Sequence, residues 1–357
     1  MPFVVHIDAG REWGGGQQQC LALAQDLAAQ GHRVHVIAQR DGPLARRLSA
    51  SSLSWEALRL RGAHAATAAL VLWRRFRALR PEVVHVHEAA AEGPAIWAAV
   101  RARGAGARPR VVTTRRTEFR RRRRRPMADR VVCVSEAVRA RMEEGGVPAE
   151  RLIVIPDFVD CAHYQPAAVA AAPLDFGPTI VSVGRLTPEK GHRLLVEAMP
   201  AVLRKVPEAR LVLCGQGPEE AALRARAGAL GVAARITLVG FAEDVRPLVA
   251  AADVVAMPSL SEGLGVAALE AMAMGRPVVA SDAGGLPEAV ADGGTGVVVP
   301  KGRVEPLAAA LVALLSDPAR ARQMGEAGRR RALERFDRPV VVGRIATLYE
   351  QLLAEAG

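Results

Sequence analysis

Aromatic residues are scarce in this chain: seven Phe, four Trp and two Tyr among 357 residues. That shortage, beside plentiful Ala, Gly, Val, Leu and Arg, argues against an all-β sandwich and suits alternating strands and helices. Cysteine is rarer than the aromatics together. Cys20, Cys133, Cys161 and Cys214 stand far apart and form no CxxC pair. Structural zinc therefore finds no support, and buried free thiols in a reducing compartment are expected. No run of about 18 uninterrupted apolar residues occurs, so no transmembrane helix is expected. The opening Met1-Pro2-Phe3-Val4-Val5-His6-Ile7 meets Asp8 at once and lacks the basic and long apolar regions of a signal peptide. Lysine is missing from the first 170 residues, which hold 27 Arg against 16 acidic side chains, while the remainder balances at 21 of each sign. The whole formal excess of +11 thus sits in the first half. It points to an anionic partner there: membrane lipid, nucleic acid or an acidic glycan.

What is present is length and period. A chain of 357 residues, half of them hydrophobic, can build two domains with a core each. Val4–Ile7 reads as a strand, Gly14-Gly15-Gly16 as a loop and Gln17–Ala29 as a helix stopped by Gly31, before a second strand at Val34–Ala38. The alternation continues through a helix near Ala66–Leu79, the strand Val83–His87, a helix near Pro94–Arg103 and the strands Val111–Thr114, Arg130–Val134 and Leu152–Ile155. Ser135 is placed to cap a helix over Glu136–Glu144. The Ala- and Pro-rich stretch from about Ala162 to Pro178 reads as a linker. A second α/β cycle starts at Thr179–Val183 and runs to Gly296–Val299. The expected fold is α/β: doubly wound domains over 1–165 and 166–338, with a helix in 339–357 crossing back to the first. Ligands of such sheets bind at the carboxyl ends of the strands, in a central cleft.

The segment from Ser259 to Met272 carries the most chemistry. Glu262 lies in a Gly-rich turn and Glu270 lies eight positions on, inside a helix. Between them come Gly263, Leu264, Gly265 and Val266, where the free N–H groups of a helix start suit a diphosphate. Two acceptor carboxylates flanking an anion site match a nucleotide sugar, which has a hydroxyl-bearing ring at each end of its diphosphate. An ordinary turn would carry the same residues. Against that, Glu270 is embedded among Val266, Ala267, Leu269, Met272 and Ala273, which places it toward a cleft rather than open water.

This segment resembles the Glu-x7-Glu motif of the group 1 glycosyltransferases, the large retaining family with the GT-B fold. Gly275–Asp282 and Gly284–Glu288 continue the likeness; Gly184–Gly191, Gly215–Pro218 and Gly240-Phe241 fall where the family has them. The resemblance implies two Rossmann-like domains facing a central cleft. It implies that Arg185 and Lys190 neutralise the donor diphosphate, that Glu262 orients the transferred sugar beside backbone from Gly263 to Val266, and that Glu270 accepts from the ribose. The base would lie near Gly215 and Phe241, and Gly15 and Gly16 of the first glycine loop would approach the diphosphate from the other side. No metal is expected, because Arg185 and Lys190 can carry the charge and no Asp-x-Asp motif occurs.

Where many members carry a histidine after the strand Val111–Thr114, this chain has Arg115-Arg116-Thr117. A same-face transfer, with the leaving phosphate taking the acceptor proton, needs no protein nucleophile. His85 and His87 follow another strand: His85 reads as a buried, hydrogen-bonded residue, and His87 is a candidate at the acceptor. Arg120, Arg121, Arg122, Arg123, Arg124 and Arg125 form an unbroken basic run beside Phe119. It reads as a solvated loop, or as a contact with anionic lipid or a phosphorylated acceptor. The function expected is transfer of a sugar from a nucleotide-diphosphate donor to a cell-envelope glycan, such as a lipopolysaccharide or polysaccharide, or to a lipid-linked acceptor. The expected location is the cytoplasmic side, peripheral on the inner face of the membrane. A nucleotide-sugar epimerase of the same fold, or a basic nucleic-acid-binding protein, are the alternatives; no recognisable DNA or RNA module supports the second.

Overall fold

A computed structural model describes residues 1–61, 65–103, 109–116, 128–173 and 177–355. It divides into two compact units, 1–157 with 341–357, and 158–340.

Seven parallel strands form the sheet of the first unit: β1 (Phe3–Asp8), β2 (Arg33–Gln39), β3 (Ser54–Leu58), β4 (Val83–Val86), β5 (Arg110–Arg115), β6 (Arg130–Cys133) and β7 (Leu152–Val154). Their order is β3-β2-β1-β4-β5-β6-β7, so the winding reverses between β1 and β4. Strand β1 is buried at every position, as a strand covered on both faces must be. The helices are α1 (Gly15–Ala29), α2 (Pro43–Leu48), α3 (Ala65–Leu79), α4 (Ala89–Arg103) and α5 (Glu136–Glu144). Ser135 caps α5, its Oγ accepting from Val138 N at 3.1 Å. Pro94 does not open α4 but sits inside it, five residues past the start. Lacking an N–H, it cannot donate to the carbonyl four residues back, so α4 forgoes one internal bond there.

In the second unit the strands are β8 (Thr179–Val183), β9 (Arg210–Cys214), β10 (Ile236–Gly240), β11 (Val254–Met257), β12 (Val278–Ser281) and β13 (Gly296–Val299). Their order is β10-β9-β8-β11-β12-β13, all parallel, with the reversal between β8 and β11. The helices are α6 (His192–Lys205), α7 (Glu220–Ala229), α8 (Arg246–Ala250), α9 (Val266–Ala273), α10 (Leu286–Ala289), α11 (Val304–Leu315) and α12 (Pro318–Arg335). Leu195, Met199 and Val202 of α6 share one core with Leu311 and Leu314 of α11 and with Ile180 and Leu211 of the sheet. Each such buried side chain contributes roughly 1.5–3 kcal/mol.

The segment after Asp157 is not a free connector. Val159 N donates to Phe336 O at 2.8 Å and Arg338 N to Val159 O at 2.9 Å; further on, Ala172 N donates to Pro247 O at 2.8 Å. These bonds tie the described residues of 158–173 into the second unit, so the division falls at 157/158 rather than 165/166. The last helix, α13 (Arg338–Ala354), belongs to the first unit from Val341 on. Its Tyr349 hydroxyl meets His85 Nδ1 at 2.5 Å, and its Arg344 donates to Val154 O at 2.8 Å. All four cysteines are unpaired and buried. Among the described residues no helix is long and apolar enough to cross a membrane. The run Arg120–Arg125 lies outside the described residues.

Candidate functional site

In the second unit two loops leave the carboxyl ends of the neighbouring strands β8 and β11, the place where doubly wound sheets hold ligands. The loop after β8 carries Arg185 and Lys190, and the loop after β11 carries Ser259 to Gly265. Leu260 N donates to Glu189 O at 2.8 Å and joins them. Lys190 Nζ then reaches Glu262 Oε2 at 2.6 Å, and Ser259 Oγ donates to the same oxygen at 3.2 Å. Arg185 Nη2 lies 3.3 Å from Glu189 Oε1, which also accepts from Thr187 Oγ1 at 2.7 Å. Burial alone would push the Glu189 carboxyl up; the bonds from Thr187 and backbone, with the charges of Arg185 and Lys190, hold it below its ordinary range.

Glycine makes this apposition possible at two points. Gly191 has φ +68°, and a Cβ there would stand 2.2 Å from Pro258 O. Gly284 has φ +54°, and a Cβ there would stand 1.8 Å from Glu262 O. The Glu262 loop is thus pressed between its neighbours by contacts that a side chain would abolish.

Gly265 is the N-cap of α9, in the left-handed region at φ +97°, and no acid occupies the first turn. Gly263, Leu264 and Gly265 are buried and Val266 is half-buried, so the helix start presents backbone rather than side chains. Glu270 sits one turn further along. Its Oε1 accepts from the Tyr164 hydroxyl at 2.8 Å. Burial pushes the Glu270 carboxyl up to about 7, partly opposed by that hydrogen bond. Gly215 N donates to Gly240 O at 2.8 Å, bringing the ends of β9 and β10 together. Phe241 follows with 56% of its surface exposed, an open ring able to stack on a planar group.

In the first unit, Gly15 and Gly16 open α1 directly after β1. A Cβ on Gly16 would lie 3.9 Å from Arg116 Cδ. His87 is turned into the interior: its Nε2 is 3.0 Å from His6 Nδ1, and burial with the nearby His85, His6 and Arg116 drives its pKa well down. His85 is fully buried between Tyr349 and Thr114, whose Oγ1 is 2.7 Å from Nε2. His6, Cys20 and His87 place possible metal-ligand atoms within 4.8 Å of one another. The two rings share a hydrogen bond, and burial pushes the Cys20 thiol well above its ordinary range.

Sequence reasoning missed a polar cluster on the carboxyl edge of this sheet. Asp8 Oδ1 accepts from Gly10 N at 2.8 Å, and Gln17 Nε2 donates to Glu88 Oε1 at 3.1 Å and to Asp8 Oδ2 at 3.4 Å. Burial, then the charge of Glu88, lifts the Asp8 carboxyl to about 6, while Gly10, Gln17 and Arg116 oppose the rise. Arg116 Nε is held by Asp157 at 2.8 Å, and Arg115 pairs with Glu92. The two arginines standing where a histidine is common are therefore ion-paired. An acid closing β1, with an amide in the first turn of the next helix, was the signal available.

Residues 173–331 match the family described as glycosyl transferases group 1, and residues 13–163 match glycosyltransferase family 4. The chain is 39% identical over 236 residues to a GDP-mannose-dependent alpha-(1-6)-phosphatidylinositol monomannoside mannosyltransferase of Mycolicibacterium smegmatis, covering 62% of each protein. It is 38% identical over 213 residues to a D-inositol 3-phosphate glycosyltransferase of Nocardia farcinica, covering 56% of this chain and 47% of that one. These matches span less than two thirds of the relatives' own length. Among solved structures, the Anabaena protein HepE in complex with UDP-glucose superposes with a TM-score of 0.84 at 22% identity, over 98% of this chain and 100% of that one. Sucrose-phosphate synthase from Thermosynechococcus elongatus gives 0.78 at 25% identity, over 99% and 100%. The two parallel-sheet units are those of the GT-B fold.

Proposed function

The chain belongs to the group 1 glycosyltransferases, and on that premise we propose that it moves a hexose from a nucleoside-diphosphate sugar to a cell-envelope glycan or lipid-linked acceptor, with retention at the anomeric carbon. The observation that carries this reading is the Lys190–Glu262 pair beside the glycine N-cap of α9, with Glu270 on the same helix. An ammonium and unpaired backbone N–H groups attract a diphosphate. A carboxylate on either side accepts from hydroxyls.

In this reading the donor displaces the Lys190–Glu262 bond. Lys190 and Arg185 turn to the phosphates and stabilise the charge that builds on the leaving nucleotide. Glu262 accepts from the sugar's hydroxyls, Glu270 exchanges the Tyr164 hydroxyl for those of the ribose, and the base stacks near Gly215 and Phe241. Gly15 and Gly16 form the glycine loop of the first unit, and that unit takes the acceptor. The acceptor oxygen bonds to the anomeric carbon as its bond to phosphate breaks, and the acceptor proton passes to the departing phosphate oxygen on the same face. No protein nucleophile is used, which agrees with the buried position of His87 and the ion-paired Arg115 and Arg116.

The relatives named for GDP-mannose make it the first donor to try. Thermal melting with GDP, UDP and ADP tests the site: one of them raises the melting point of the wild type and fails to do so for Glu270→Ala. No shift with any of the three rejects the proposal. The excess positive charge of the first half supports a position at the cytoplasmic face of an anionic membrane, with Arg120–Arg125 as the proposed contact. Co-sedimentation with anionic vesicles, lost when the six arginines become Ser, is the expected result; equal binding to neutral vesicles rejects it.

A further inference from the structure

The first unit carries a concavity on the carboxyl edge of its sheet. It is a pocket of about 400 Å3 at the carboxyl ends of β1, β2 and β3, lined by Arg11, Arg40, Arg59, Arg61 and a single acid, Asp41. Three loops build it and are bonded together. Arg40 N donates to Leu58 O at 2.7 Å, Leu60 N to Gln39 Oε1 at 3.1 Å, and Arg61 Nη1 to Ala9 O at 3.2 Å. Gly42 sits at the junction, where a Cβ would stand 2.9 Å from both Gln39 O and Gly10 O. The loops are thus braced against one another, while Arg11, Arg40 and Arg59 are exposed and Arg61 is half-buried.

The pocket is strongly basic. Some arginines of the unit have carboxylate partners: Arg75 with Glu56, Arg103 and Arg110 with Asp129, Arg116 with Asp157, Arg130 with Glu355. Among the described residues, none of the four pocket arginines makes such a pair. Four guanidiniums and one carboxylate leave a formal excess of three positive charges in one small space. Like charges gathered in this way repel, and the repulsion is relieved by an anion. A carboxylate occupies one guanidinium fork. A phosphate monoester, with three terminal oxygens and up to two charges, or a diester, with two and one, can engage more than one fork at once.

We infer that this pocket binds the phosphate group of a phosphorylated acceptor, at a distance from the hydroxyl that receives the sugar. The inference rests on the reading of the first unit as the acceptor side. Arg11 belongs to the loop that leads into Gly15 and Gly16, and the other three arginines follow β2 and β3 on the same sheet edge, so the pocket extends from the glycine loop toward β3 and suits a group that anchors the acceptor there.

Isothermal titration of the full chain tests it directly. The probes are inorganic phosphate, glycerol 1-phosphate, and vesicles of phosphatidylinositol or of phosphatidylcholine. The proteins are wild type, Arg40→Gln/Arg59→Gln, and the charge-matched control Arg74→Gln/Arg322→Gln. The pocket variant is expected to bind at least about tenfold more weakly, as loss of charge-assisted bonds dictates, while the control stays within about twofold. Saturating nucleoside diphosphate should leave the phosphate isotherm in place. Binding of glycerol 1-phosphate identifies a small phosphorylated acceptor, and binding confined to phosphatidylinositol vesicles identifies a lipid headgroup. Failure of the wild type to bind any phosphate probe overturns the inference, as does equal loss in the control or displacement by nucleoside diphosphate. A chain that binds phosphate here but gains no stability from GDP, UDP or ADP would instead contradict the transferase reading.

Discussion

Replacing Glu270 with Gln should flatten the dependence of stability on pH in a defined window. The carboxyl is lifted from its ordinary value of 4.5 to about 7 in the folded protein, chiefly by burial. Between those values the folded chain holds the proton and the unfolded chain has lost it. Folding is therefore favoured most below 4.5, and the advantage fades as pH rises through 7. Over that interval the difference amounts to about 3 kcal/mol. Gln is neutral throughout and still accepts the Tyr164 hydrogen bond, so only the titration is removed. Asp8, lifted to about 6, adds a slope of the same sign, but it belongs to the first unit and is unchanged in the variant. All four tryptophans lie in the first unit, so their fluorescence follows that unit alone, whereas circular dichroism follows both. Urea unfolding followed by circular dichroism from pH 4.5 to 8 should show the variant gaining on the wild type as pH rises. The fluorescence transition should respond equally in both proteins. A difference between wild type and variant that stays constant across the window would refute the argument.

Three further outcomes are expected. Glu262→Gln should lower kcat by about tenfold or more while donor affinity changes little, since its contact to the reacting sugar strengthens at the transition state; a change confined to KM would contradict this. Gly284→Ala should destabilise the second unit by about 1–3 kcal/mol and depress transfer, because the methyl group meets Glu262 O and φ is positive; an unchanged melting profile would remove the case for a clamped loop. Tyr349→Phe should cost the first unit about 1–3 kcal/mol, as His85 Nδ1 loses its buried partner, and tryptophan fluorescence during unfolding would read the loss directly.

The residues that were legible in the sequence are those whose relation is local. Glu262, Gly265 and Glu270 lie within one loop and one helix, so spacing alone sets their geometry. Lys190 and Glu262 are 72 residues apart, yet each follows a strand whose end could be read, and adjacent strands bring them together. The cluster of Asp8, Gln17, Glu88 and Arg116 depends instead on the register of β1 with β4 and of β4 with β5, which no periodicity encodes. Tyr164 was hidden in a stretch whose Ala and Pro suggested an unattached linker, although its hydroxyl and carbonyl are both bonded within the second unit. The elements α2 and β3, at six and five residues, are too short to establish a period, and with them went the pocket of arginines that their flanking loops build.

The central claim is that the second unit activates a nucleoside-diphosphate hexose for same-face transfer. The most direct measurement is proton nuclear magnetic resonance of the first-formed product from an α-linked donor, starting with GDP-mannose, in the presence of a phosphorylated polyol acceptor. The account predicts an α-linked product at early time, formed by the wild type and reduced at least about tenfold in Lys190→Ala. A β-linked first product, or full turnover without Lys190, would contradict it.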